Sequence, residues 1–106
     1  MSLYPEAIEN HSKALSIQLQ HGLHDHPSTG QIRLNMGMTF YKQGKYIEAN
    51  EFFVKAFSIY KKALGNDHQY TKEAKMMVEW CNSYLLANPS GIEEKEVKEE
   101  KEEKED

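Results

Sequence analysis

The chain has 106 residues, of which 39% are hydrophobic, and this content is sufficient for one domain with a modest core. Its formal charge of −4 lies at the C-terminal end, because residues 93–106 hold nine acids and four lysines, whereas residues 1–92 hold eight acids and nine basic residues. A folded part so close to neutral lacks the basic surface that binds phosphate backbones, which excludes nucleic acid as the primary partner. No hydrophobic run is long enough to cross a membrane, no secretion signal is recognisable, and Cys81 is the one cysteine. We therefore expect a soluble, cytoplasmic protein without an internal disulfide.

Four helices are predicted, near residues 4–21, 28–43, 46–64 and 68–87, because apolar residues recur there at steps of three and four. The spacing is clearest in the third helix, where the series is Ala49, Phe53, Ala56, Tyr60 and Ala63. The predicted fold class is all-α, built from antiparallel helix hairpins.

Glycines separate the predicted helices. Gly44 is expected to end the second helix in a left-handed conformation, and Gly22 and Gly65 stand at the other two separators. Asp25 and Asp67 follow these separators and are expected to cap the next helix.

The segment after residue 88 has a different composition. The sequence of residues 88–91 is Asn-Pro-Ser-Gly, which is typical of the end of a folded unit. Beyond it, lysines recur among glutamates with only Val97 to bury, so a core cannot form, although a solvated helix is conceivable in part. We predict a helical domain over residues 1–88 and a disordered, acidic Glu/Lys-rich tail over residues 89–106.

An internal repeat relates the two halves of the predicted domain. At an offset of 42 residues, Tyr4 meets Tyr46, and Lys13-Ala14-Leu15-Ser16-Ile17 meets Lys55-Ala56-Phe57-Ser58-Ile59. Asp25-His26 likewise meets Asp67-His68. Because turn residues and small residues match as well as apolar ones, the similarity indicates a true repeat.

The second and third helices resemble the tetratricopeptide repeat at Met36-Gly37, Phe40, Ala49, Phe53 and Ala56. The small residues stand where two helices approach closely, and the phenylalanines fill the space between them. The period and the connector Leu64-Gly65-Asn66-Asp67-His68 resemble the kinesin light chain type of this repeat. Similar repeats occur in the clustered mitochondria protein and in the C-terminal domain of the SET-and-MYND proteins. The resemblance covers residues 4–87 and implies a superhelical array of about four helices that binds proteins.

In tetratricopeptide proteins, the first helix of each pair lines a concave groove. Carried over to this chain, the resemblance implies a partner-binding groove with Asn35 at its centre, because the kinesin light chain type holds the backbone of an extended peptide with an asparagine there. Methionines beside an aromatic residue suit such a ligand, and they also suit a dimer contact. The predicted groove residues are Gln31, Leu34, Asn35, Met38, Tyr41, Lys42, Met77 and Trp80.

The outer helices have no matching partner in the repeat pattern. The first helix corresponds to the second half of a repeat and leaves apolar residues for self-association, namely Leu3, Tyr4, Ile8 and Leu15. The fourth helix carries Glu79 and Asn82 where the second carries Gly37 and Phe40, which is typical of a polar cap. The chain is therefore predicted to form a homodimer or to belong to a longer array.

Two groups of residues allow a chemical role as an alternative to these structural ones. His21, His24, Asp25 and His26 are close enough in sequence to ligate a metal, but the recurrence of Asp-His at the repeat period favours a structural connector. Cys81, beside Trp80 in a helix, is more typical of a buried hydrophobe than of a nucleophile. The sequence thus predicts no enzyme, no metal and no cofactor, and favours an adaptor or scaffold that binds a peptide or helix of a partner protein. Self-assembly is the alternative.

Overall fold

The computed structural model describes residues 3–88, which form four helices and no strand. These helices are α1 (Tyr4–Gln20), α2 (Pro27–Lys42), α3 (Tyr46–Leu64) and α4 (Gln69–Ala87). Every end lies within one residue of the predicted position, and the all-α fold of antiparallel hairpins is confirmed. The predicted tail, residues 89–106, lies outside the described residues.

Helix α3 supplies most of the core. Ala49, Phe53, Ala56 and Tyr60 are each at most 1% exposed, and their spacing of four, three and four residues places them on one side of the helix. Helix α2 packs on one flank of α3 and α4 on the other. Full burial of a phenylalanine stabilises a fold by about 1.5–3 kcal/mol, so α3 is the element on which the others depend.

Helices α2 and α3 approach each other closely at Gly37. A Cβ atom at this position would lie 2.6 Å from Cε1 of Phe53 and 3.1 Å from the carbonyl oxygen of Ala49. No side chain fits in that space unless the helices separate. The predicted role of Gly37, Ala49 and Phe53 in close helix packing is therefore confirmed.

Glycines end α1 and α2 in the same manner. Gly22 and Gly44 have φ angles of 74° and 83°, a conformation that side chains with a Cβ rarely adopt. After α2, the amide of Lys45 donates to the carbonyl of Phe40 and that of Gly44 to the carbonyl of Tyr41, which is the Schellman arrangement. The left-handed cap predicted at Gly44 is confirmed.

The caps at the starts of α2 and α4 are histidines. Nδ1 of His26 accepts from the amide of Ser28, and Nδ1 of His68 accepts from the amide of Tyr70, each at 3.0 Å. The prediction that Asp25 and Asp67 cap these helices is wrong. The N-cap residues, which have extended backbone, are His26 and His68, and each aspartate lies one residue before them.

The carboxylate of Asp25 instead forms an ion pair with a lysine of α3. One of its carboxylate oxygens lies 2.8 Å from Nζ of Lys62, at an exposed site.

Helix α1 is the least buried of the four. None of its residues is buried, whereas α3 has six buried residues. Its contact with the start of α2 includes a polar interaction, since Nε2 of Gln18 donates to the hydroxyl of Ser28. None of the described helices is long and apolar enough to span a membrane.

Candidate functional site

The first part of the predicted groove is a hydrogen-bonded row along α2. Nε2 of Gln31 donates to Oδ1 of Asn35 at 3.1 Å, and Oε1 of Gln31 accepts from the hydroxyl of Tyr60 at 3.4 Å. These bonds orient both amides from the core side. Within residues 3–88, Nδ2 of Asn35 has no hydrogen-bond acceptor, so this N–H group is oriented and available to a ligand.

Tyr60 holds this row in place because its own side chain is buried and contacts α4. Its side chain is 1% exposed, and its ring lies 5.6 Å from that of Tyr70 on α4. Burial, with smaller contributions from Tyr70 and Glu73, raises the pKa of Tyr60 to about 12. The hydroxyl therefore remains a neutral donor to Gln31 at physiological pH.

An aromatic depression marks the other end of α2. Tyr41 and Trp80 line a depression of about 520 Å³ together with Ser83, Tyr84, Ala87 and Asn88. Tyr41 meets Tyr46 edge-on at 5.0 Å, and Tyr46 lies 4.1 Å from Tyr84, measured between ring centroids. Three tyrosines thus join the walls of the depression, while Trp80 stays 52% exposed at its side. A wall of this kind can hold an apolar side chain of a ligand.

The structure places the remaining predicted groove residues differently. Met38 and Met77 are half-buried and pack against the core, and Lys42 is exposed. Leu34, expected in the groove, is 8% exposed and belongs to the core cluster. The expectation for Leu34 was wrong because its position on α2 faces α3 rather than solvent.

Tyr84 was missed as a site residue. It stands one helical turn after Trp80, and this spacing of four residues was the available signal. Its contact with Tyr46, 38 positions earlier in the chain, carries no signature in the sequence.

The residues predicted for self-association fall into two groups. Leu3 is 64% exposed, whereas Tyr4, Ile8 and Leu15 are half-buried. Ile17, which was not predicted, is 54% exposed. The most exposed large apolar side chains in α1 and at its N-cap are therefore Ile17 and Leu3.

The histidine cluster does not assemble into a metal site. His26 uses its Nδ1 atom in the helix cap, Asp25 pairs with Lys62, and residues 3–88 contain no group of three or more potential metal ligands. Cys81 is fully buried, and desolvation raises the pKa of its thiol to about 11. A thiol of this kind is not a nucleophile at neutral pH.

Comparison with known proteins gives one match. The sequence model of a family described as tetratricopeptide repeat matches residues 1–62, which include α1, α2 and most of α3. No curated protein and no solved structure matches the chain.

Proposed function

Because the chain belongs to the tetratricopeptide repeat family, whose members generally mediate protein–protein interaction, we propose that it is an adaptor that binds a peptide of a partner protein. The observation that carries this proposal is the pairing of an oriented amide, Asn35 on α2, with an aromatic depression that lies between Tyr41 of the same helix and Trp80 of α4. An amide recognises backbone, and an aromatic depression recognises one apolar side chain.

The proposed ligand is an extended segment that runs along α2. Nδ2 of Asn35 would donate to a main-chain carbonyl of the peptide, and an apolar side chain would enter between Tyr41 and Trp80. Met38 and Met77, whose side chains adapt to different shapes, would contact the segment between these two points. The resemblance to the kinesin light chain type supports this arrangement. We place the protein in the cytoplasm, with no catalytic activity, no cofactor, and neither nucleic acid nor membrane as its partner.

The groove is tested by selecting peptides from a display library on the folded chain and measuring their affinities by calorimetry. Asn35→Ala should weaken the selected peptides about tenfold, which corresponds to one hydrogen bond of roughly 1.4 kcal/mol. Trp80→Ala should weaken them further. The matched control is Asn66→Ala, an exposed amide in the connector before α4, which should leave the affinity unchanged. Equal binding by the wild type and Asn35→Ala would show that the residue assignment is wrong.

Self-assembly is a second candidate function. It is favoured by the observation that α1 buries none of its residues and exposes Leu3 and Ile17. Apolar surface of this kind on a repeat protein is normally covered by a neighbouring repeat or another molecule.

A further inference from the structure

Helix α1 is built like α3 but is packed on one side only. At the repeat offset, Ile17 corresponds to Ile59, which is 6% exposed and lies against Gly30 of α2. Ile17 itself is 54% exposed, because no helix among the described residues occupies the equivalent side of α1. This side of α1 is therefore shaped to receive a helix of the α2 type.

Helix α4 is the complementary case. It corresponds to α2 at the same offset, since Thr29 and Thr71 are both buried at equivalent places. Leu34 of α2, which is 8% exposed, corresponds to Met76 of α4, which is 45% exposed. Within residues 3–88, the side of α4 equivalent to the α3-facing side of α2 carries no helix. This side is apolar at Met76 and polar at Glu79 and Asn82, and it is open to a helix of the α3 type.

We infer that a second copy of the chain fills both vacancies, with α4 of one molecule packed against α1 of the next in the manner of α2 on α3. The residues that would meet support this pairing. Within the molecule, Gly37 faces Phe53. Between molecules, the equivalent residues are Glu79 and His11, an acid and an imidazole that can form a charge-assisted hydrogen bond.

The second equivalent pair is also complementary. Phe40 stacks on Phe52, with ring centroids 5.5 Å apart. The residues at the same register between two molecules are Asn82 and Asn10. Oδ1 of Asn82 already accepts from Nδ2 of Asn50 at 3.3 Å, which leaves its own Nδ2 to donate to Asn10 of the neighbour. The stacked pair of Phe40 and Phe52 within the molecule thus corresponds to a pair of amides, Asn82 and Asn10, between molecules. Both partners of the contact have changed from aromatic to amide.

This contact differs from the internal one in two ways. A Cβ at Gly37 would lie 3.1 Å from the carbonyl oxygen of Ala49, whose equivalent in α1 is Ala7, so α4, with Glu79 at the place of Gly37, stands farther from its partner than α2 stands from α3. The resulting interface is wider and more polar, which favours reversible association. It also joins two different surfaces, so copies add head to tail and the assembly grows with concentration rather than stopping at a dimer.

The pairing is independent of the groove, and each is tested without the other. The test uses sedimentation velocity on the full chain, up to millimolar concentration, with Ile17→Glu to block the α1 surface and Met76→Glu to block the α4 surface. Each variant alone should be monomeric, and an equimolar mixture should form heterodimers and nothing larger, because each variant retains one functional surface. The matched control Val54→Glu changes a side chain that is 44% exposed and lies outside both surfaces, and it should assemble like the wild type.

A charge exchange tests the assigned register. His11→Glu and Glu79→His should each weaken association by about fivefold, and the double variant should recover it, since the exposed pair contributes up to roughly 1 kcal/mol. Circular dichroism confirms that the variants are folded. A wild type that stays monomeric throughout would overturn the inference, as would a dimer that loses association with only one of the two blocking variants, because this pattern indicates a symmetric contact. Failure of the charge exchange to recover association would overturn the register.

Discussion

The two copies of the repeat, residues 4–29 and 46–71, have similar sequences but are held in place by different interactions. In the second copy the helix is buried, with Phe53 and Tyr60 each 1% exposed. In the first copy no residue of the equivalent helix, α1, is buried. Its connector is held by polar contacts instead, since Asp25 pairs with Lys62 and the hydroxyl of Thr29 donates to the carbonyl of Leu23.

The connector of the second copy lacks those contacts. The hydroxyl of Thr71, which corresponds to Thr29, is buried and has no partner among the described residues. Asp67 likewise has no ion pair within residues 3–88. One repeat sequence is thus stabilised by apolar burial in one copy and by polar connector contacts in the other. Matched substitutions in the two copies should separate these contributions.

The largest difference is expected between Phe53→Ala and His11→Ala, which stand at equivalent places. Removing the Phe53 ring should lower the free energy of unfolding by about 3–5 kcal/mol, because a cavity is left in the core. His11→Ala should cost less than about 1 kcal/mol, because the imidazole is only half-buried. Urea denaturation of the monomer measures both values. If Phe53→Ala leaves too little folded protein, Phe53→Leu gives a smaller loss that can be measured. Equal losses at the two positions would contradict the comparison.

A smaller difference is expected between equivalent positions of α2 and α4, the helices that follow the first and second connectors. Gly37→Ala should destabilise the chain by about 1–3 kcal/mol, because the new methyl group meets the Phe53 ring and forces the helices apart. Glu79→Ala, at the equivalent place on α4, should change the unfolding free energy by no more than about 0.5 kcal/mol in the monomer. The thermal unfolding midpoints of both variants check this order. A neutral Gly37→Ala would mean that α2 and α3 are less closely packed than the structure has them.

The smallest effect is expected at the connectors. The hydrogen bond and charge of Lys62 hold the pKa of Asp25 below its ordinary value of 3.8. The pair therefore stabilises the fold above that value, and the stabilisation is lost as the pH falls through the lowered pKa. Asp25→Asn should reduce the unfolding midpoint slightly at pH 7 and not at acidic pH, and salt should diminish the difference. Asp67→Asn is the control. If both variants behave alike at pH 7, the two connectors are equivalent after all.

Local patterns in the sequence were sufficient for the helices and their ends. The spacing of Ala49, Phe53 and Ala56 predicted the buried side of α3, and Gly44 predicted the end of α2, since each depends on neighbouring residues only. The caps were misassigned because aspartate is a common cap. Pro27 disfavours helical backbone at His26 and thus indicated that residue as the cap, whereas His68 has no proline after it. Leu34 was wrongly assigned to the groove because a shift of one position along a helix moves a side chain from the groove side to the core side.

Contacts between distant residues were beyond prediction from the sequence. The pairing of Asp25 with Lys62 and that of Tyr46 with Tyr84 depend on how neighbouring helices pack, which local sequence patterns do not encode. Asn35 and Tyr41 of the predicted groove are half-buried positions on α2, and the prediction did not include Tyr84. Ligand binding at any of these residues stays a prediction.

The position of Trp80 gives the chain an optical probe of its own. It is the one tryptophan in the sequence, and it stands half-exposed beside Tyr41 and Tyr84 rather than in the core. Its emission therefore responds to the polarity of the depression itself, and a ligand that enters there should shift the emission to shorter wavelength without any added label. The same residue that we assign to recognition would in this way report, in real time, when the groove is filled.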